Sequence, residues 1–190
     1  MAKVTLNPIL EKVRGEFGDL VFKHFGGDVI ISHRPDFSGV QPTAVQLQHQ
    51  ERFRQAVLYG QLVKADPQKK AVYADAAKAK GKPIFALMIG DFFNAPSVDE
   101  VDLSDYAGAI GDTIAVQAHD DFDVVSVHVS ITKVSGEAIE SGEAVETPVN
   151  SRRWVYLATA AVAHGTAVRI AVSASDRPGG LGQATSEKTL

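Results

Sequence analysis

The sequence predicts an α+β protein in which an N-terminal β-hairpin and a helical stretch, residues 1–96, precede a β-sandwich over residues 98–190. Three observations carry that expectation. Apolar residues recur at helical spacing between residues 43 and 94, they alternate strictly in residues 113–119 and 125–131, and Pro96 stands where one period gives way to the other. The boundary between the two parts is accordingly placed at residues 94–98.

Residues 1–40 hold Gly15, Gly18, Gly26, Gly27 and Gly39, with two β-prone apolar runs at residues 19–25 and 28–33. The Gly26-Gly27-Asp28 step between the runs predicts a hairpin turn, because glycine reaches the positive φ that tight hairpin turns need. A two-stranded hairpin alone is marginal in water, so this one needs a further surface to lean on.

Three helices are expected over residues 43–94. Thr43 with Gln46 makes a capping box, and Val45, Phe53, Val57, Leu58, Leu62 and Val63 then recur at helical spacing up to Ala65. Asp66-Pro67 starts a second helix, with aspartate at the N-cap and proline where its missing N–H costs nothing. That helix carries Ala71, Val72, Ala76 and Ala79 and stops at Gly81. The third begins at Pro83 and carries Ile84, Phe85, Leu87, Met88, Ile89, Phe92 and Phe93, so apolar on nearly every side that central burial is expected.

From Val98 onward the pattern is all-β. Residues 113–119 and 125–131 read as half-buried strands around a turn at Asp120-Asp121, and residues 138–145, 153–160, 167–174 and a run near Ala184 bring the count to about six or seven, at the turn spacing of a sandwich. Val168, Ile170, Val172 and Ala174 share one inner face, and Trp154 and Tyr156 share one face of their own strand. This half is expected to fold alone.

Composition narrows the function. With 45% hydrophobic and 22% charged residues the chain should fold, and a net charge of −4 lacks the basic footprint of a nucleic-acid binder. No apolar run approaches the ~20 residues of a membrane span. No secretory signal is visible at the N-terminus. The absence of cysteine removes disulfides and thiolate metal sites.

Two resemblances add to this reading. Residues 111–124, the Trp154-Val155-Tyr156-Leu157-Ala158-Thr159 strand, and Ser173-Ala174-Ser175-Asp176-Arg177-Pro178-Gly179-Gly180 resemble the bacterial immunoglobulin-like domains of surface, adhesin and phage structural proteins, over about half the chain. The resemblance implies an immunoglobulin-like β-sandwich, a scaffold that serves many roles. The N-terminal half, with Arg14-Gly15-Glu16-Phe17-Gly18-Asp19, Ser32-His33-Arg34-Pro35 and Gln50-Glu51-Arg52-Phe53, is similar to a group of phage and bacterial proteins to which no activity is attached. It supplies no catalytic residues.

Chemistry is hard to find. His24, His33, His49, His119, His128 and His164 form neither an i, i+4 helical pair nor an H-x-H strand pair, so no zinc site is expected, although His119 and His128 lie on strands that could bring them together. Asp120, Asp121 and Asp123 cluster in a turn where oxygen ligands for Ca²⁺ are conceivable. Asx-turn chemistry accounts for them at lower cost, and calcium binding is left open. Glu137, Glu140, Glu143 and Glu146 read as a solvated edge or loop, and Pro178-Gly179-Gly180-Leu181-Gly182 as a turn rather than a phosphate cradle. No nucleophile elbow, phosphate loop or H-E-x-x-H motif is present. The expectation is a non-enzymatic protein with no cofactor and no intrinsic metal dependence.

The function expected is that of a structural protein that self-assembles, by strand addition or N-terminal arm exchange, into a filament or phage-like particle. Leu6, Ile9, Leu10, Phe17, Leu20, Val21, Phe22, Phe25, Val29, Ile30 and Ile31 would form the assembly interface, since residues 1–40 carry more apolar surface than their local partners can bury. The partners implied are copies of the same chain and other particle or surface proteins, with an extracellular filament or virion as the setting. The alternative is an immunoglobulin-like module that binds a carbohydrate or protein at a cell or particle surface.

Overall fold

The computed structural model describes residues 2–4, 15–25, 28–36, 38–39 and 41–190. The chain divides into two compact units, Met1–Leu47 and Gln48–Leu190.

In the first unit β1 (Ala2–Val4), β2 (Gly15–Phe17), β3 (Leu20–Phe25) and β4 (Asp28–His33) form an antiparallel sheet in the order β1-β4-β3-β2. The expected hairpin is its centre: Phe25 stands opposite Asp28, with Gly26 and Gly27, which lie outside the described residues, as the two-residue connection. A second hairpin joins β2 to β3, where Phe17 opposes Leu20 and Gly18 takes φ +58°. The surface that the hairpin needs is therefore partly its own sheet.

The second unit begins within α1 (Ala44–Ala65). Its capping box is reciprocal: Gln46 N donates to Thr43 Oγ1 at 3.3 Å and Thr43 N to Gln46 Oε1 at 2.8 Å. In α2 (Pro67–Lys80) the Asp66 side chain accepts from the backbone N–H groups of Gln68 and Lys69, and Gly81 closes the helix in the left-handed conformation. α3 (Ile84–Phe93) follows Pro83.

The face by which α1 packs differs from the one its periodicity suggests. Val45, Phe53, Leu58 and Leu62 are exposed, and the buried residues are Ala56, Gly60 and Val63. The reason is close approach: a Cβ on Gly60 would stand 2.8 Å from the Phe85 ring, so small residues let α3 come near where large ones would hold it off. Leu87 and Met88 of α3 are buried with Val63, Tyr73 and Ala77, while Ile84, Phe85, Ile89, Phe92 and Phe93 are half-buried rather than central.

β5 (Ser97–Asp102), β6 (Thr113–His119), β7 (Ser126–Lys133), β8 (Ala138–Glu146), β9 (Arg153–Leu157), β10 (Ala167–Ser175) and β11 (Leu181–Thr189) form one antiparallel sheet, β11-β10-β7-β8-β9-β6-β5. β8 is the bridge. It pairs with β7 from Ala138 to Ala144 and with β9 at Val145 and Glu146, so the sheet folds over a single core. Glu140, Glu143 and Glu146 thus sit on an interior strand instead of an edge, and Glu137 lies exposed in the turn before it. Their carboxylates are tied locally: Glu137 to Lys133, Glu143 to His128, and Glu140 Oε2 to Tyr156, Thr159 and Ala160.

The core takes the alternate residues of every long strand, among them Ile114, Val116, Val127, Val129, Ile131, Val168, Ile170, Val172, Trp154 and Tyr156. Phe122, in the β6–β7 connection, stacks on Tyr73 of α2 with ring centroids 4.4 Å apart. That contact lies within the Gln48–Leu190 unit, which spans the helix-to-strand change at 94–98.

Near the open side of the sheet β11 passes against the start of β5, where a Cβ on Gly182 would lie 2.0 Å from the Pro96 carbonyl oxygen. Any side chain there must push backbone from backbone. Gly182→Ala should cost about 1–3 kcal/mol in urea unfolding, whereas Gly39→Ala, with open space around it, should change stability by no more than about 0.5 kcal/mol.

Candidate functional site

Two places gather the residues that matter. The first is one face of the N-terminal sheet. Cross-strand partners share a face, so the register places Phe17, Leu20, Phe22, Val29 and Ile31 together on one side, with His24 and His33. Val21, Phe25 and Ile30 fall on the other side with Glu16, Lys23, Asp28 and Ser32. The expected interface residues are thus split between an apolar face and a mixed one. On the apolar face Val29 is buried, Leu20, Phe22 and Ile31 are half-buried, and Phe17 is 78% exposed. On the mixed face Phe25 is 77% exposed. Leu6, Ile9 and Leu10 lie outside the described residues.

The second place is a carboxylate cluster in the Gln48–Leu190 unit. Asp91 of α3 meets Asp120 and Asp121 of the β6–β7 connection, with one carboxylate oxygen of each within 4.8 Å of the others. Asp91 has no exposed surface. Its Oδ2 accepts a hydrogen bond from the Tyr73 hydroxyl, which lies 2.7 Å from the Tyr59 hydroxyl, while its Oδ1 has no hydrogen-bond partner. Asp120 uses Oδ2 to accept from the backbone N–H groups of Phe122 and Asp123, the expected Asx turn, and its buried Oδ1 is also without a partner. Asp121 accepts from Asn94 Nδ2 at 2.9 Å and, on its main-chain oxygen, from Lys80 Nζ at 2.8 Å.

Burial drives the electrostatics. Loss of solvent, reinforced by the charges of Asp120, Asp176 and Asp121 and opposed by the Tyr73 hydrogen bond, pushes Asp91 up to about 7. Asp176, 6% exposed, is raised by burial as well, and the Tyr73 hydroxyl is driven far above its ordinary range, first by burial and then by the Asp91 hydrogen bond. Among the described residues no ion pair reaches Asp91, Asp120 or Asp121.

The turn aspartates singled out in the sequence are therefore divided. Asp123 turns away and pairs with Arg177 at 2.7 Å. Its place is taken by Asp91, far off in the chain on a helix whose apolar neighbours gave it no motif. The signal was a single acidic residue in an otherwise hydrophobic helix, which must be burying a charge or facing a partner. His119 and His128 do not come together: His119 lies 2.6 Å from Asp99 and His128 3.0 Å from Glu143.

No family model matches the chain, and no curated protein sequence matches it. Among solved structures it is similar to CopC from Methylosinus trichosporium OB3b, with a TM-score of 0.37 and 13% identity over 48% of this chain and 89% of that one. A conjugative transposon lipoprotein from Bacteroides eggerthii DSM 20697 has a TM-score of 0.26 and 14% identity over 48% of this chain and 92% of that one.

The buried carboxyl sets a pH dependence with a definite sign. A pKa raised from 3.8 to about 7 means that the folded state holds a proton the unfolded state has released, so stability falls as pH rises between about 4 and 7 and is flat above. Asp176, raised too, adds in the same direction. In thermal melts with chelator, wild type should lose more Tm between pH 5 and pH 8 than Asp91→Asn, which keeps an oxygen for Tyr73 but cannot ionise.

Proposed function

We propose that this chain is a non-enzymatic structural protein that assembles with copies of itself through its N-terminal sheet, building a filament or phage-like particle with an immunoglobulin-like sandwich as the body of each subunit. The observation that supports this is the segregation of Phe17, Leu20, Phe22, Val29 and Ile31 onto one sheet face that leaves Phe17 78% exposed. A sheet with one apolar face gains by covering it: each large side chain removed from water contributes about 1.5–3 kcal/mol before entropic costs. β1 and β2 are the outer strands of this sheet, and their outward backbone groups suit strand addition from a neighbour. Leu47, Phe53, Leu58 and Leu62, exposed on α1, add apolar surface.

A binding module is the second reading, favoured by a cleft of about 320 Å³ lined by Tyr59, Leu62, Val63, Tyr73 and Val125 with Lys69, Asp176 and Arg177. Apolar walls with a few charged groups of both signs are the usual lining of a ligand pocket.

Light scattering and negative-stain microscopy separate the readings. Full-length protein should form large particles, and a chain beginning at Gln41 should be monomeric and folded. Phe17→Asp, which changes an exposed side chain and should cost little stability, should also dissociate the particles. A full-length chain that stays monomeric at high concentration overturns assembly.

A further inference from the structure

We propose that Asp91, Asp120 and Asp121 form a divalent-cation site selective for Ca²⁺, which ties α3 to the β6–β7 connection. The donor set is all oxygen, the chemistry of hard cations and not of zinc or copper. Its three carboxylate oxygens lie within 4.8 Å of one another. Oxygens bound to one Ca²⁺ at about 2.3–2.6 Å can stand up to about 5 Å apart, whereas the shorter bonds to Mg²⁺ demand a tighter cluster.

An acidic cluster alone would not mark an ion, and here two independent features do. Asp91 has no exposed surface and its Oδ1 has no hydrogen-bond partner, and Asp120 Oδ1 beside it is also buried without one. Buried carboxylate oxygens are normally hydrogen-bonded or paired with a cation, because desolvating them otherwise costs too much. Two such oxygens in one triad, with no ion pair to any of its members among the described residues, leave a cation as the group that satisfies both. The second feature is access: a cavity of about 250 Å³ lined by Asn94, Ser97, His119, Asp120, Asp121 and Arg152 opens onto the cluster and gives an ion and its waters a way in.

The surroundings orient the cluster, and water would supply the remaining ligands. Asp120 Oδ2 and Asp121 Oδ2 are already held by backbone and Asn94 donors, which orient the carboxylates. Lys80 contacts the Asp121 main-chain oxygen, so its ammonium lies nearby without pairing with a carboxylate. Titratable groups facing Asp91 are Tyr73 and Tyr59 from the helices and Asp120, Asp121 and Asp176 from the sandwich. The site is independent of assembly through the N-terminal sheet.

The test uses the full-length chain at pH 7.5 with Ca²⁺, Mg²⁺ or chelator. Ca²⁺ should raise Tm by about 5–10 °C at a hundredfold excess over Kd, with Kd in the range of about 10⁻⁵–10⁻³ M, and Mg²⁺ should do markedly less. Tb³⁺ should bind in its place and luminesce on tyrosine excitation, because Tyr73 touches Asp91, and Ca²⁺ should quench that emission by displacement. Asp91→Asn should abolish both responses while raising Tm in chelator, since it removes one of the crowded carboxylates. Asp123→Asn should keep both. A wild-type Tm unmoved by Ca²⁺ up to about 10 mM, tenfold above the weakest sites of this kind, or equal responses in wild type and Asp91→Asn, would overturn the site, and the shared proton on Asp91 would then be the group that satisfies the cluster.

Discussion

The C-terminal sheet exists because alternate residues of its long strands have only one place to go. Ile114, Val116, Val127, Val129, Ile131, Val168 and Ile170 have no exposed surface, and in a pleated strand that is possible only if the sheet bends over its own inner face. β8 provides the bend by changing partner from β7 to β9 near Val145. The end of the chain is drawn into the same core: Leu190 is buried, and Lys188 Nζ binds the carbonyl oxygens of Leu103 and Tyr106 at 2.6 and 2.7 Å.

The helices reach this body through the β6–β7 connection, where Lys80 and Asn94 donate to Asp121 and one aromatic ring crosses between them. Phe122, carried out of the sheet by the Asx turn at Asp120, stacks on Tyr73 and enters the small core of Val63, Tyr73, Ala77, Leu87 and Met88. The same contact brings the turn's carboxylates against Asp91, so docking has an electrostatic cost built into it. The apolar contact favours closure and the acidic triad opposes it. A proton or a cation is what reconciles them, and this makes the junction sensitive to solution conditions in a way that the core of the sheet is not.

The N-terminal sheet follows a different economy. Four short strands satisfy one another's backbone groups, yet a single sheet has two faces and its apolar one is only partly covered. Local pairing thus settles hydrogen bonding before it settles burial, and in the proposed assembly the remaining apolar area would be the driving force for association.

Much of this was legible in the sequence because it rests on local chemistry. The capping box at Thr43, the Asp66-Pro67 start, the Gly81 stop and the strand at Thr113–His119 follow from neighbouring residues and are found where the pattern puts them. So are the pairing of residues 20–25 with 28–33 and the inward faces of Trp154 and Tyr156. What the pattern could not reveal is which surfaces meet. Large residues of α1 point outward because Gly60 admits Phe85 closely, and helical periodicity does not register that steric choice. Strand alternation likewise does not say that β8 lies inside the sheet. The carboxylate cluster was hidden for the same reason. Asp120 and Asp121 are adjacent in sequence, but Asp91 joins them only through the packing of a helix on a turn, a contact set by tertiary structure with no local signature.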